Sequence, residues 1–139
     1  MAELNFYIIQ NDISQADLAC RICRKSISTG QTPVLVKFEQ QAELEHFDSL
    51  LWQFDPSSFV PHDVVENAID YAASPICLSL HIPEHFQGIC INLGQHVIDP
   101  TRFSRVIEII ENNDTARAAG RVRFKAYREQ GIEPITYRV

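Results

Sequence analysis

Short apolar runs alternate along this chain with segments whose apolar residues recur at helical spacing, and this alternation restricts the fold more than any other feature. Asn5 to Gln10 is an aromatic and β-branched run closed by the polar pair Asn11-Asp12, which predicts a buried strand. From Ser14 to Thr29 the residues Ala16, Ala19, Cys20, Cys23 and Ile27 recur at helical spacing, and Gly30 stands where a C-terminal cap belongs. Pro33 to Phe38 predicts a second strand, and Gln41 to Phe54 a second helix with Leu44, Phe47, Leu51 and Phe54 on one face. Residues 55–63 read as a turn-rich loop that still carries Phe59 and Val60. Ile76 to His81 and Gly88 to Leu93 are two further strands, with Pro83 breaking the connection. Asp99-Pro100 predicts the opening of a helix, as N-cap and first-turn proline, with Phe103, Val106, Ile107 and Ile110 inward. A last helix is expected from about Thr115 to Gln130, capped by Gly131, before a final strand Ile135 to Val139. The order predicts an α/β domain of three layers, with a mostly parallel sheet and helices on both faces.

A chain of 139 residues, 45% hydrophobic and 22% charged, matches one ordinary domain with a single core, so residues 1–139 are expected to form one unit. Stretches such as Ile76 to Leu80 fall far below the roughly 20 apolar residues that span a bilayer, and the N-terminus has no basic flank before an apolar run. A cytoplasmic protein without membrane contact is expected. The four cysteines sit in regular apolar segments, which predicts reduced, buried thiols and no disulfide.

The net charge of −6 conceals a segregation. Phe38 to Thr101 holds ten acids and no Lys or Arg, whereas from Thr115 onward Arg117, Arg121, Arg123, Lys125, Arg128 and Arg138 face only Glu129 and Glu133. The acidic middle argues against wrapping nucleic acid around the domain, and the basic end argues for one local acidic ligand.

Sites for chemistry are hard to find. The turn after the first strand, Gln10-Asn11-Asp12-Ile13-Ser14, lacks the glycines that let backbone amides approach a phosphate, and it places a carboxylate there. Cys20-Arg21-Ile22-Cys23 has the spacing of a redox or zinc pair, but it lies mid-helix on or beside the apolar face, and Cys77 and Cys90 are isolated in strands. His81 and His85 are four apart, but Pro83 interrupts any helix between them. His62-Asp63 has no nucleophile elbow nearby, and all three histidines read as solvated loop residues. No cofactor, metal site or catalytic residue is expected.

Two features remain. In the last helix Arg117, Arg121, Phe124, Lys125 and Arg128 fall within an arc of roughly 100° at 100° per residue, opposite Ala118, Ala119, Val122 and Ala126, whose small size would let the helix lie close to the sheet. No residue from Thr115 to Arg128 is acidic, so ordinary helical ion pairs are not expected, and the cationic arc reads as a binding face. The other feature is the apolar cluster Trp52, Phe54, Phe59, Val60 and Pro61. Aromatic anchors beside turn-forming residues are typical of protein interfaces, although Trp52 and Phe54 could equally close the core beneath the loop.

At these residues a family resemblance emerges. Phe6-Tyr7-Ile8-Ile9, Leu51-Trp52 with Ser58-Phe59-Val60-Pro61-His62, and above all Arg123-Phe124-Lys125-Ala126-Tyr127-Arg128 resemble the chi subunits of bacterial DNA polymerase III over essentially the whole chain. The resemblance implies a Rossmann-like fold without a nucleotide-binding glycine loop, and a non-catalytic replication subunit that joins the psi subunit of the clamp loader to the acidic C-terminal tail of single-stranded DNA-binding protein. By that resemblance the tail would bind Arg117, Arg121, Phe124, Lys125 and Arg128, with Ile110 on the neighbouring helix lining the pocket. A relative of this family has Lys where position 117 carries Arg and Tyr where position 124 carries Phe; charge and ring are kept and a hydroxyl is lost. The psi-binding surface would centre on Trp52 and Phe59 with Pro61 beside them, a surface that some bacteria also use for a helicase-like partner. DNA would be met mainly through these partners. Direct nucleic-acid binding by the basic helix, or a vestigial nucleotide-binding domain, are the alternatives.

Overall fold

Among the described residues seven short strands, β1 (Glu3–Ile8), β2 (Val34–Lys37), β3 (His62–Val65), β4 (Ile76–Ser79), β5 (Ile89–Asn92), β6 (Arg105–Ile110) and β7 (Ile135–Arg138), form one sheet in the order β3-β4-β2-β5-β6-β1-β7. Every pairing in it is parallel. This is a computed structural model, and it describes residues 3–53, 61–65, 74–84 and 86–139. Among these residues three helices, α1 (Gln15–Ser28), α2 (Gln41–Gln53) and α3 (Asp114–Glu129), lie in the connections between parallel strands. No helix among the described residues is long and apolar enough to cross a membrane.

A parallel sheet must be covered on both faces, and its strands alternate accordingly. On one face Val34, Val36, Ile76, Leu78, Ile107 and Ile109 pack against Ala19, Cys20 and Cys23 of α1 and Leu44, Phe47 and Leu51 of α2. On the other, Leu4, Phe6, Val106 and Ile110 pack with Tyr127 of α3. The fold is thus a three-layer, Rossmann-like α/β sandwich. All four cysteines are buried in it. Burial pushes the Cys20 thiol up to about 12 and the Cys77 thiol up to about 11, with Asp17 and Asp63 adding to the effect.

Local signals placed the helix ends. The Ser14 hydroxyl caps α1 by accepting from the Asp17 amide at 3.0 Å, and Gly30 and Gly131, at φ 73° and 84°, take the left-handed conformation that lets α1 and α3 stop. Two expectations fail. The helix predicted from Asp99 is only the 3-10 turn Pro100–Arg102, whose cap is Asp99, and the chain then enters β6 in the middle of the sheet. A strand buried on both faces reads as a continuous apolar run, so Val106, Ile107 and Ile110 satisfy helical spacing without forming a helix, and β-branching favours the strand. The loop expected over residues 55–63 ends in β3, an edge strand beginning at His62. Phe54, Phe59 and Val60 lie outside the described residues.

Candidate functional site

Helix α3 starts at Asn113, whose side chain accepts from the Ala116 amide at 2.8 Å. Its inner face is Gly120, Arg123 and Tyr127, with Ala116 packed beside them. This corrects the small-residue face: Ala118 is exposed, Val122 is 70% exposed, and Ala119 and Ala126 are only half-buried. At 100° per residue the helix is turned roughly a third of a revolution from the expected orientation. The cause is a buried charge. Arg123 donates from Nε to Glu108 Oε1 at 3.0 Å, and both side chains are nearly inaccessible.

Glu108 of β6 also accepts at Oε2 from the Tyr127 hydroxyl at 2.7 Å and from Asn92 Nδ2 at 2.8 Å. The Tyr127 oxygen accepts from the Ile98 amide at 3.1 Å, and Asn92 Oδ1 from the Gly94 amide at 3.0 Å. The network ties α3 to β5, β6 and residues 94–98, with each buried polar atom partnered, the condition under which such networks stabilise and orient a fold. Burial pushes the Glu108 carboxyl up, opposed by Arg123 and by the donors of Asn92 and Tyr127. The Tyr127 hydroxyl is also pushed up, by burial and then by the charge of Glu108.

The rotation of α3 leaves an apolar pocket of about 200 Å³ between its first turns and the carboxyl ends of β1 and β6. Phe6, Ile8 and Ile110 come from the sheet, and Arg117, Gly120, Arg121 and Phe124 from the helix. A Cβ at position 120 would lie 2.7 Å from Ile110 Cδ1, so the glycine is what brings helix and strand this close. The Phe124 ring stands edge-on to Phe6, with centroids 5.1 Å apart. Four of the six residues expected at one site, Ile110, Arg117, Arg121 and Phe124, line this pocket; Lys125 and Arg128 lie beyond its lining. Ile110 belongs to β6, not to a helix. Sequence reasoning missed Phe6, Ile8 and Gly120. A glycine inside a helix costs about 1 kcal/mol against alanine, and that cost was the available sign of a close approach.

The expectation that the cations lack acid partners also needs correction. Arg117 pairs with Asp114 at 2.9 Å and Arg128 with Glu133 at 3.3 Å, acids placed just outside the stretch from Thr115 to Arg128. Among the described residues Arg121 and Lys125, both exposed, form no ion pair.

The amino end of α1, where a nucleotide phosphate would sit in a related fold, meets a carboxylate of the chain itself. Glu111 Oε2 accepts from the Gln15 amide at 2.8 Å. Among the described residues no group of three or more His, Cys, Asp or Glu is placed to hold a metal ion.

At the opposite edge of the sheet Trp52, in the last turn of α2, is 59% exposed and does not close the core. Its ring lies 5.0 Å from that of His62. His62 is no solvated loop residue: it is buried at the start of β3, with Nε2 2.7 Å from Asp48 Oδ1 rather than paired with Asp63. His81 is exposed as expected, and His85 lies outside the described residues. Pro61 is half-buried next to His62, and Phe59, expected at the same surface, lies outside the described residues.

A sequence-family model described as "DNA polymerase III chi subunit, HolC" matches residues 1–134. Similar proteins include a DNA polymerase III subunit chi of Pseudomonas aeruginosa, 32% identical over 94% of this chain and 92% of its own length, and one of Haemophilus influenzae, 30% identical over 91% and 90%. A subunit chi of Escherichia coli is 27% identical over 95% of each chain.

Proposed function

The chain belongs to the family of DNA polymerase III chi subunits, a replication accessory component, and from that premise we propose that it is a non-catalytic cytoplasmic adaptor with two docking surfaces. The pocket beside α3 takes the acidic C-terminal tail of single-stranded DNA-binding protein, and the Trp52 edge takes psi. The observation that carries this reading is the exposed Arg121 guanidinium at an apolar pocket that Phe124, Phe6 and Ile110 line, with exposed Lys125 further along the same helix. A tail of acids ending in an aromatic residue needs that combination: cations for its carboxylates and an apolar slot for its ring. For psi, the support is an exposed tryptophan steadied by the His62 ring, the kind of aromatic anchor on which interfaces concentrate their energy.

Calorimetric titration of the full chain with an acidic peptide ending in Phe, and separately with short single-stranded DNA, tests the first surface. The peptide should bind and the DNA should not. Arg121→Ala or Lys125→Ala should weaken the peptide by about 1 to 3 kcal/mol, the scale of a charge-assisted hydrogen bond, with the melting temperature unchanged. Unchanged affinity in both variants would remove this face, and binding of DNA alone would support a direct nucleic-acid contact instead.

A further inference from the structure

We propose that Arg138, on the last strand, forms the far rim of the α3 pocket and takes a carboxylate of the anionic peptide held there. The inference rests on the reading of that pocket as a peptide site, and it adds a second wall to it. Strand β7 pairs with β1 in the register Phe6 to Thr136, Tyr7 to Tyr137 and Ile8 to Arg138. Partnered residues in neighbouring strands share a face of the sheet, and the strands lie about 4.8 Å apart. Phe6 and Ile8 line the pocket, so Thr136 and Arg138 stand on the same side of the sheet. The residue between them behaves as this alternation requires: Tyr137 turns to the other face and stacks on Tyr7 with ring centroids 5.2 Å apart.

The apolar floor from Phe6 and Ile8 is therefore flanked by cations on both sides, Arg117 and Arg121 from the helix and Arg138 from the strand. Arg117 is engaged by Asp114, whereas Arg121 and Arg138 are exposed and, among the described residues, pair with no acid. Among the described residues β7 is the edge of the sheet, and no further strand covers Arg138. A ligand that fits has an apolar side chain for the floor and carboxylates to either side of it. An acidic peptide lying across β1 meets that description, and a lone carboxylate reaching only the helix does not.

The test is fluorescence anisotropy of a labelled Asp- and Glu-rich peptide ending in Phe, titrated with the full chain carrying Arg138→Gln, Arg138→Lys or Arg121→Ala. Arg138→Gln should weaken binding about three- to tenfold, as expected for one partly exposed charge contact, and should flatten its salt dependence. Arg138→Lys should keep most of the affinity, because the charge remains. Loss in Arg121→Ala with none in Arg138→Gln would overturn the second wall and leave the pocket assignment standing. Loss in neither would overturn both.

Discussion

Glu108 and Arg123 decide more about this molecule than their chemistry would suggest. Two charged residues buried against each other are a weak source of net stability, because each loses its hydration. Their effect is orientation, since the pair and the Tyr127 hydroxyl admit only one rotation of α3, the one that puts Phe124 and Arg121 at the pocket. Removing one partner leaves the other charged and dry. Glu108→Gln should therefore lower stability by about 3 to 5 kcal/mol in a urea melt. A loss below about 1 kcal/mol would mean that water reaches Arg123 and that packing alone seats the helix.

At the scale of elements, the end of α2 and the connection after β5 are held by different forces. The end of α2 presents Trp52 over His62, and the ring is mostly solvent-exposed. A core aromatic truncated to alanine costs about 3 to 5 kcal/mol, so Trp52→Ala should shift the melting temperature far less than Phe47→Ala, while psi affinity falls sharply. Equal destabilisation by the two changes would return Trp52 to the core.

The connection after β5 is held by a carboxylate from the end of β2. Glu39 Oε1 accepts from the Gln95 amide at 2.8 Å, the His96 amide at 3.0 Å and the His96 ring at 2.6 Å. Burial alone would push this carboxyl up, but those donors together outweigh it and hold it below the usual glutamate range. A carboxyl depressed in the folded state adds stability that is complete above its unfolded value of about 4.3 and is lost as pH falls through the lower folded value. Below that unfolded value, Glu39→Gln should lose stability less steeply with acid than the parent. Parallel acid limbs in thermal melts would show that the carboxylate is not the cap.

Across the whole molecule the two proposed docking surfaces sit on opposite halves of the sheet. Trp52 stands near β3, while the pocket lies on β1 and β6. β3 and β1 are five strand spacings apart, roughly 24 Å at 4.7–4.9 Å each. That is well beyond the Debye length of about 8 Å at physiological salt, and a densely packed sheet does not bend between them. The surfaces should be independent. Trp52→Ala should leave affinity for the acidic peptide within error, and Arg121→Ala should leave psi binding intact. A double variant losing more than the product of the two single effects would show coupling through the sheet. Salt should weaken the acidic-peptide complex and spare the apolar edge.

What the chain declared by itself was local. The spans of α1 and α3, their caps at Ser14 and Gly131, the acidic middle, the basic end and the membership of Arg117, Arg121 and Phe124 in one helical arc all follow from residues a few positions apart. The tertiary structure decided whatever depends on a partner distant in sequence. Whether Val106 to Ile110 becomes strand or helix turns on burial from both sides, which periodicity cannot distinguish. Which face of α3 turns inward turns on Glu108, fifteen residues before Arg123. Trp52 meets the ring of a histidine from another element, and Arg138 meets Ile8 only through the pairing of the last strand with the first. Propensity and capping act within a turn or two of the chain, whereas burial and charge pairing are settled only when distant segments meet.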